Sequence, residues 1–113
     1  MVKIEAIIRP QKLESVQDAL TDLGVDGLTA IEVKGSGKQK GSAHTYRGSQ
    51  YTLNLTPKIK LEVVVAAAQV EAVTNAIRDA AATGEVGDGK IFIYPLSDAM
   101  RIRTGERGDA AIS

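Results

Sequence analysis

The sequence predicts one domain of the α+β class, made of two strand–helix–strand units of similar length. Three observations lead to this prediction. Apolar residues alternate in four segments, they recur every three or four residues in two others, and glycine or proline ends most of these segments. A chain of 113 residues suffices for one hydrophobic core, so residues 1–113 are expected to form a single domain.

The first unit contains a strand, a helix and a second strand. VKIEAIIRP alternates apolar and other side chains from Val2 to Ile8 and ends at Pro10, which predicts a strand. KLESVQDALTDLG has helical spacing, and Gly24 is a suitable helix end. LTAIEVKG is a second strand. The apolar stripe predicted for the helix consists of Leu13, Val16, Leu20 and Leu23.

The second unit repeats this order. KIKLEVVVA alternates as a strand, AAQVEAVTNAIRDAAATG has helical spacing up to Gly84, and KIFIYP is a strand that ends at Pro95. Crossover connections between strands of one sheet are strongly right-handed. Two such units interleave into a four-stranded antiparallel sheet with both helices on one face. The predicted fold is therefore a ferredoxin-like double βαβ sandwich.

A long polar segment separates the second and third strands. Residues 36–57 are rich in glycine, carry Tyr46 and Tyr51, and are far longer than the few residues needed to join neighbouring strands. Folded back on itself, the segment could project roughly 30 Å from the domain. One interpretation is a protruding arm that contacts another molecule, and the alternative is a tolerated surface insertion.

The sheet face away from the helices is expected to carry a mixed surface. Ile7 and Val64 lie there among the charged side chains of Arg9 and Glu62. A small oligomer with its sheets facing inward would explain this pattern, and so would a ligand lying against the rim of the sheet.

Two basic segments are candidates for anion binding. TGEVGDGKIFI places Gly84, Gly87 and Gly89 before a strand that begins at Lys90, so backbone amides and a lysine could hold a phosphate. The alternative is a helix end followed by a tight turn. In the tail, from about residue 97 to 113, the prediction is a strand with two arginines on one face, where guanidinium groups match phosphate oxygens. A charged edge strand is the alternative.

Other functional classes fit the sequence poorly. GSGKQKGS has neither Walker nor dinucleotide-binding spacing, and His44 has no second histidine or cysteine with which to form a metal site. The 14 basic and 14 acidic residues balance, and only one Phe and three Tyr are present, which argues against a nucleic-acid-binding sheet. Because no apolar run reaches about 18 residues and no cysteine occurs, we expect a cytoplasmic protein without direct membrane insertion.

The quoted segments together resemble the PII family of nitrogen-regulatory signal transduction proteins. The resemblance extends from Val2 to Ile112 and is carried by IEAIIRP, EVKGxGxQKG, YRGSQY, TGEVGDGKIFIYP and RIRTGERGDAAI, where x marks Ser36 and Lys38, which are not part of the matching motif. It implies a homotrimer that regulates nitrogen metabolism, with a nucleotide site in each cleft between subunits. ATP and ADP compete for that site. The arm corresponds to the family's T-loop, the segment that contacts target proteins.

The resemblance also implies specific ligand-binding residues. The nucleotide base would lie against Ile7, Thr29, Glu62 and Val64, with Gly35 and Gly37 closing over it. The phosphates would meet Lys38, Gly87, Asp88, Gly89 and Lys90, with Arg101 and Arg103 arriving from the neighbouring subunit. Mg-ATP would create a site for 2-oxoglutarate near Arg9, Gln39 and Lys58, in which the Gln39 amide oxygen ligates the Mg²⁺.

For the arm, the resemblance implies a docking role. Arg47 would enter the pore mouth of an ammonium transporter, which would recruit the protein reversibly to the membrane, and other targets would be enzymes or kinases of nitrogen assimilation. Relatives are modified at the position of Tyr51 by a nucleotidyl group, or at the position of Ser49 by phosphate. Modification would place negative charge beside Arg47 and expel the arm from a cation-recognising pore.

The chain departs from the family pattern at two positions. Gln11 and Ser36 stand where the family usually carries phenylalanine. Ser36 is at the root of the arm, so an altered effector response is one alternative function. The other alternative is a small ferredoxin-like phosphate-transfer enzyme, although Arg9-Pro10-Gln11 offers no phosphate cradle of the kind that an acylphosphatase needs. We therefore expect a regulator with at most weak residual ATPase activity.

Overall fold

The computed structural model describes residues 1–36, 44–46, 49–51 and 55–113, and for 44–46 and 49–51 it describes only the strand backbone. The elements in chain order are β1 (Val2–Ile8), α1 (Leu13–Asp22), β2 (Thr29–Gly35), β3 (His44–Tyr46), β4 (Ser49–Tyr51), β5 (Thr56–Val65), α2 (Val70–Ala81), β6 (Lys90–Pro95) and α3 (Asp109–Ile112). Each of the two long helices follows a short 3₁₀ turn, at Pro10–Lys12 and at Ala67–Gln69.

The predicted ferredoxin-like fold is confirmed. Four strands form an antiparallel sheet in the order β2-β5-β1-β6. Ala6 of β1 lies opposite Leu61 of β5 on one side and opposite Ile91 of β6 on the other, while Leu61 is also opposite Ala30 of β2. The strands of each βαβ unit are thus separated by a strand of the other unit, which interleaves the two halves of the chain.

One face of the sheet forms the core with α1 and α2. The alternating residues of β1 and β5 provide its floor, and both helices contribute apolar side chains at helical spacing. The fully buried large side chains are Ile4, Ile8, Val16, Leu20, Leu61, Val63, Val73 and Ile77. The periodicity that predicted the elements therefore also predicted the core.

Leu23 does not belong to the buried stripe, which corrects the prediction for α1. The helix ends at Asp22, and Leu23 is 42% exposed in the cap that follows it. Gly24 has a φ of +78° there, and the Val25 amide donates to Leu20 O at 2.9 Å. This left-handed cap turns the chain so that Val25 is buried in place of Leu23.

The arm leaves the sheet from two adjoining strand ends. Gly35, the last residue of β2, pairs with Thr56, the first residue of β5, and the Thr56 hydroxyl donates to Gly35 O at 3.4 Å. Further along the arm, β3 and β4 pair antiparallel, with His44 opposite Tyr51. The sequence did not predict these two short strands.

The tail also differs from its prediction, because Arg101 and Arg103 do not lie on a strand. Only Met100 and Arg107 make a β-bridge in this segment, and a turn lies between them. The Gly105 amide donates to Arg101 O at 2.7 Å, with φ of +75° at Gly105. Because glycine tolerates that conformation, the chain reverses where a strand would have continued.

Candidate functional site

A glycine turn, defined as residues 83–89, joins α2 to β6 at one end of the sheet. Its most constrained position is Gly89, where φ is +103°. A Cβ at Gly89 would lie 1.7 Å from Ile7 O and 2.8 Å from Ile7 C. Only glycine allows this approach, so the turn packs directly on the end of β1, next to the pairing of Ile7 with Lys90.

The carboxylate of Asp88 ties the glycine turn together. Its Oδ2 accepts hydrogen bonds from the amides of Thr83 at 2.8 Å and Gly84 at 2.9 Å, and its Oδ1 accepts from the Thr83 hydroxyl and from Arg9 Nε at 3.1 Å. These bonds, those of Thr83 foremost, hold the pKa of the Asp88 carboxyl well below its usual range. The side chain of Asp88 thus stabilises the glycine turn. If Asp88 contacts a phosphate, its backbone amide is the group that does so.

Two cations reinforce the same turn from the sheet. Arg9 Nη2 donates to Val86 O at 2.9 Å, and Lys58 Nζ donates to Gly87 O. Lys58 is only 8% exposed, and this burial, together with the nearby Arg9 charge, lowers the pKa of its ammonium group. A buried lysine so close to an open cleft is well placed to meet an anion.

A cleft of about 860 Å³ lies between the glycine turn and the root of the arm. We call it the glycine-turn cleft. It brings together six of the residues expected to bind nucleotide or 2-oxoglutarate, and Ser36 lines it as well. The six are Ile7, Gly35, Lys58, Gly87, Gly89 and Lys90.

A second cleft of about 960 Å³ contains four more of the predicted residues. We call it the Arg101 cleft. Thr29, Glu62, Val64 and Arg101 line it, together with α3. Thr29 and Glu62 are opposite each other in the sheet, and Val64 is on the same face of β5 as Glu62.

The two clefts are at opposite ends of β2. Thr29 begins this strand and Gly35 ends it, so the two residues are separated by about 20 Å at the usual rise per residue. The residues predicted for one nucleotide site are therefore divided within a single chain. Of the thirteen residues predicted to bind nucleotide, five line the glycine-turn cleft and four line the Arg101 cleft.

The remaining predicted residues do not line either cleft or are not described. Arg103 lies in the exposed turn of the tail, and Asp88 is part of the glycine turn. Arg9 is bonded to that turn from the end of β1 and lines a third cleft with Gln11 and Lys58. The positions of Gly37, Lys38, Gln39 and Arg47 lie outside the described residues, as do the side chains of Ser49 and Tyr51. The Mg²⁺ ligand expected at Gln39 is thus untested, and no His/Cys/Asp/Glu metal cluster occurs among the residues that are described.

Sequence reasoning missed the contribution of Thr83. Its amide and hydroxyl both donate hydrogen bonds to Asp88, and the hydroxyl oxygen accepts a hydrogen bond from the Glu85 amide at 3.1 Å. A threonine directly after a helix and before a glycine is a recognisable turn signal, because its hydroxyl can satisfy local backbone groups. The partners of Arg101, which lie in the tail, were also not expected from the sequence.

Comparison with known proteins establishes the family. The family model for "Nitrogen regulatory protein P-II" matches residues 1–106. The chain belongs to the PII family. Curated PII proteins from Rhodospirillum rubrum and Cereibacter sphaeroides are 53% and 54% identical to it over 112 residues, which is 99% of this chain and 100% of each relative.

A solved PII structure has the same fold. The crystal structure of Arabidopsis thaliana PII bound to citrate aligns with a TM-score of 0.80 at 42% identity, and covers 98% of this chain and 88% of the plant chain. The PII relatives are named as regulatory proteins of nitrogen metabolism. Across the described ranges, no helix is long and apolar enough to cross a membrane.

The close approach at Gly89 gives a direct test of the turn. Both Gly84→Ala and Gly89→Ala place a side chain at positive φ, which costs about 1–2 kcal/mol. Nothing lies within 4 Å of a Cβ at Gly84, so that variant is the matched control. Because the Gly89 Cβ meets the Ile7 backbone, we expect Gly89→Ala to lose more than twice the unfolding free energy that Gly84→Ala loses. Urea unfolding at one protein concentration measures both, and equal losses would contradict the packing described.

Proposed function

We propose that this chain forms a homotrimer that senses ATP, ADP and 2-oxoglutarate and regulates proteins of nitrogen metabolism through its arm. The observation that carries the proposal is the division of the predicted nucleotide residues between two clefts at opposite ends of β2. One copy's glycine-turn cleft and the next copy's Arg101 cleft would make a whole site. Such a head-to-tail contact is heterologous and closes into a ring when the rotation permits.

The open face of the sheet supports self-association. Ile31, Phe92 and Tyr94 are exposed there at 47%, 44% and 41%. The charged groups beside them are already paired, with Lys3 Nζ 3.8 Å from Glu62 Oε1 and Lys60 Nζ 3.6 Å from Glu5 Oε1. Paired charges cost less to bury than unpaired ones, so this face could be covered by another copy.

The chemistry of the clefts fits a nucleoside triphosphate. Lys90 and the positive-φ glycines of the turn offer charge and backbone amides to phosphate oxygens, while Ile7 and Val33 offer apolar surface to a base. Arg101 of a second copy would add a guanidinium, whose fork geometry matches phosphate. Mg²⁺ held through Gln39 would neutralise phosphate charge and, when bound, supply the oxygen-preferring cation that 2-oxoglutarate requires.

Lys58 is suited to couple the effectors to the arm. Its ammonium binds Gly87 O in the glycine turn, and its Cγ lies 3.3 Å from where a Cβ would stand on Gly35 at the arm's root. A dicarboxylate that bound Lys58 would draw the ammonium away from the turn. The conformations of the arm's root and of the glycine turn would then change together. The populations of the arm's conformations would follow the difference in ligand affinity between those conformations. The citrate in the plant PII structure is consistent with a carboxylate ligand in this family.

A regulatory role suits these groups better than catalysis. With its pKa lowered, Asp88 is a poor general base near neutral pH.

The arm would act by docking on enzymes or kinases of nitrogen assimilation and on an ammonium transporter, into whose pore mouth Arg47 would reach. The protein would work in the cytoplasm and be recruited to the membrane by that transporter.

Lys90 tests the nucleotide site. Lys90→Ala should weaken ATP binding by about 1.5–3 kcal/mol, since it removes a charged hydrogen bond to phosphate. Lys12→Ala, at the 3₁₀ turn before α1, removes the same charge away from the cleft and should leave ATP binding unchanged. Titration calorimetry compares the two. If Lys90→Ala binds ATP as the unsubstituted chain does, or if that chain binds no ATP at millimolar concentration, the proposed site is wrong.

Ser36 tests the effector response. We expect 2-oxoglutarate to bind only in the presence of Mg-ATP and not with ADP, because the metal and Lys58 together supply the charge that a dicarboxylate needs. Ser36 lines the glycine-turn cleft, where an aromatic ring would add apolar contact. Ser36→Phe should therefore strengthen the synergy between ATP and 2-oxoglutarate, and Ser36→Ala serves as control. Equal binding of 2-oxoglutarate with ADP and with Mg-ATP would refute the scheme.

Tyr51 tests the control of the arm. We propose that a nucleotidyl group is attached to Tyr51, where its charge would oppose docking of Arg47. The intact mass of the protein from nitrogen-starved and ammonium-shocked cells should differ by one nucleotidyl group. A phosphate on Ser49 would reassign the modification, and an unchanged mass in both states would leave Tyr51 with a docking role alone.

A further inference from the structure

The C-terminal tail folds back onto the Arg101 cleft. After the turn, α3 (Asp109–Ile112) lines that cleft through Asp109, Ala111 and Ile112, as does Ser113. These residues share the cavity with Thr29, Glu62 and Val64, the positions assigned above to the nucleotide base. The tail therefore forms one wall of the cleft in which the nucleotide base is expected to lie.

Arg101 holds the tail in place through hydrogen bonds. Its Nη1 donates to Glu106 Oε1 at 2.8 Å, and its Nη2 donates to Ala110 O at 3.0 Å and to Ser113 O at 2.9 Å. Bidentate binding of a phosphate uses Nη2 together with either Nη1 or Nε, and the tail carbonyl groups already accept two bonds from Nη2. A bidentate phosphate and the tail therefore compete for Nη2 of Arg101, whereas a single bond from another N–H of the guanidinium does not require the tail to leave.

The tail is attached weakly enough to be displaced. None of the α3 residues is buried, and the helix has only four residues, far below the length at which a helix is stable alone. The Ala111 amide donates to Gly108 O at 2.9 Å, and this bond helps to shape the tail. Besides the half-buried Ala111 and Ile112, the Arg101 bonds to the carbonyl groups of Ala110 and Ser113 hold the tail against the domain.

We propose that the tail, residues 109–113, is a built-in competitor of the nucleotide. It lines the Arg101 cleft and accepts the Nη2 bonds of Arg101 until a phosphate binds the guanidinium and the tail is released. The inference rests on the proposed nucleotide function, since the phosphate of a neighbouring site is the rival ligand. The apparent affinity is then the intrinsic affinity multiplied by the fraction of chains whose tail has already left.

Hydrogen exchange tests the release directly. On addition of Mg-ATP to the full chain, the amide of Ala111, which bonds to Gly108 O, should exchange at least about tenfold faster, because exchange reports the open fraction of a local element. ATP binding that leaves this amide unchanged, or protects it, would overturn this inference while leaving the proposed function intact. A chain that binds no ATP would overturn both.

A helix-breaking substitution tests the competition. Ala111→Pro removes the amide that bonds to Gly108 O and disfavours helix at the preceding residue, whereas Ala111→Ser keeps the amide and changes little else. We expect Ala111→Pro to bind ATP on the order of five times more tightly, because a larger fraction of its chains has the tail released and can bind ATP. Unchanged or weaker binding by Ala111→Pro, relative to Ala111→Ser, would show that the tail does not compete.

Discussion

The direct packing of Gly89 on the backbone of Ile7 is the constraint on which the rest of the candidate site depends. It fixes the glycine turn at the end of β1, because no side chain fits between the two segments. From that position, the Asp88 carboxylate reaches both Thr83 and Arg9, and Lys58 reaches Gly87 O. Since Lys58 also adjoins Gly35, the same contact connects the turn to the strand end from which the arm leaves.

The second organising feature is the length of β2. The seven residues of this strand separate the Arg101 cleft from the glycine-turn cleft, so one chain cannot bring Arg101 to Lys90. In the proposed trimer, this division would allow each half of the site to be regulated in its own chain. The tail would act at Arg101, and an effector that binds Lys58 would act at the glycine turn.

The sequence predicted the elements and the core well, because alternation and helical spacing report directly which side chains face inward. Prediction from the sequence failed where the spacing of only three or four residues indicated the structure. Leu23 fits the helical spacing but follows the last turn of α1, and Arg101 and Arg103 alternate as in a strand although Gly105 reverses the chain. The selection of Asp88 and Lys58 came from family resemblance, and their hydrogen-bond partners are visible only in three dimensions. The separation of the two clefts likewise depends on strand register, which spacing along the chain does not encode.

Subunit mixing tests most directly whether each site is shared between copies. Lys90→Ala disables one half of the site and Arg101→Ala the other, so neither variant alone should bind ATP at full affinity. If the two chains are unfolded and refolded together in equal amounts, a randomly mixed trimer should recover about a quarter of the full-affinity sites, because an intact half from each chain then meets across some interfaces. Calorimetric titration counts these sites. Recovery near that level is the predicted result, and no recovery in mixed oligomers verified by native mass spectrometry would contradict a site shared between subunits.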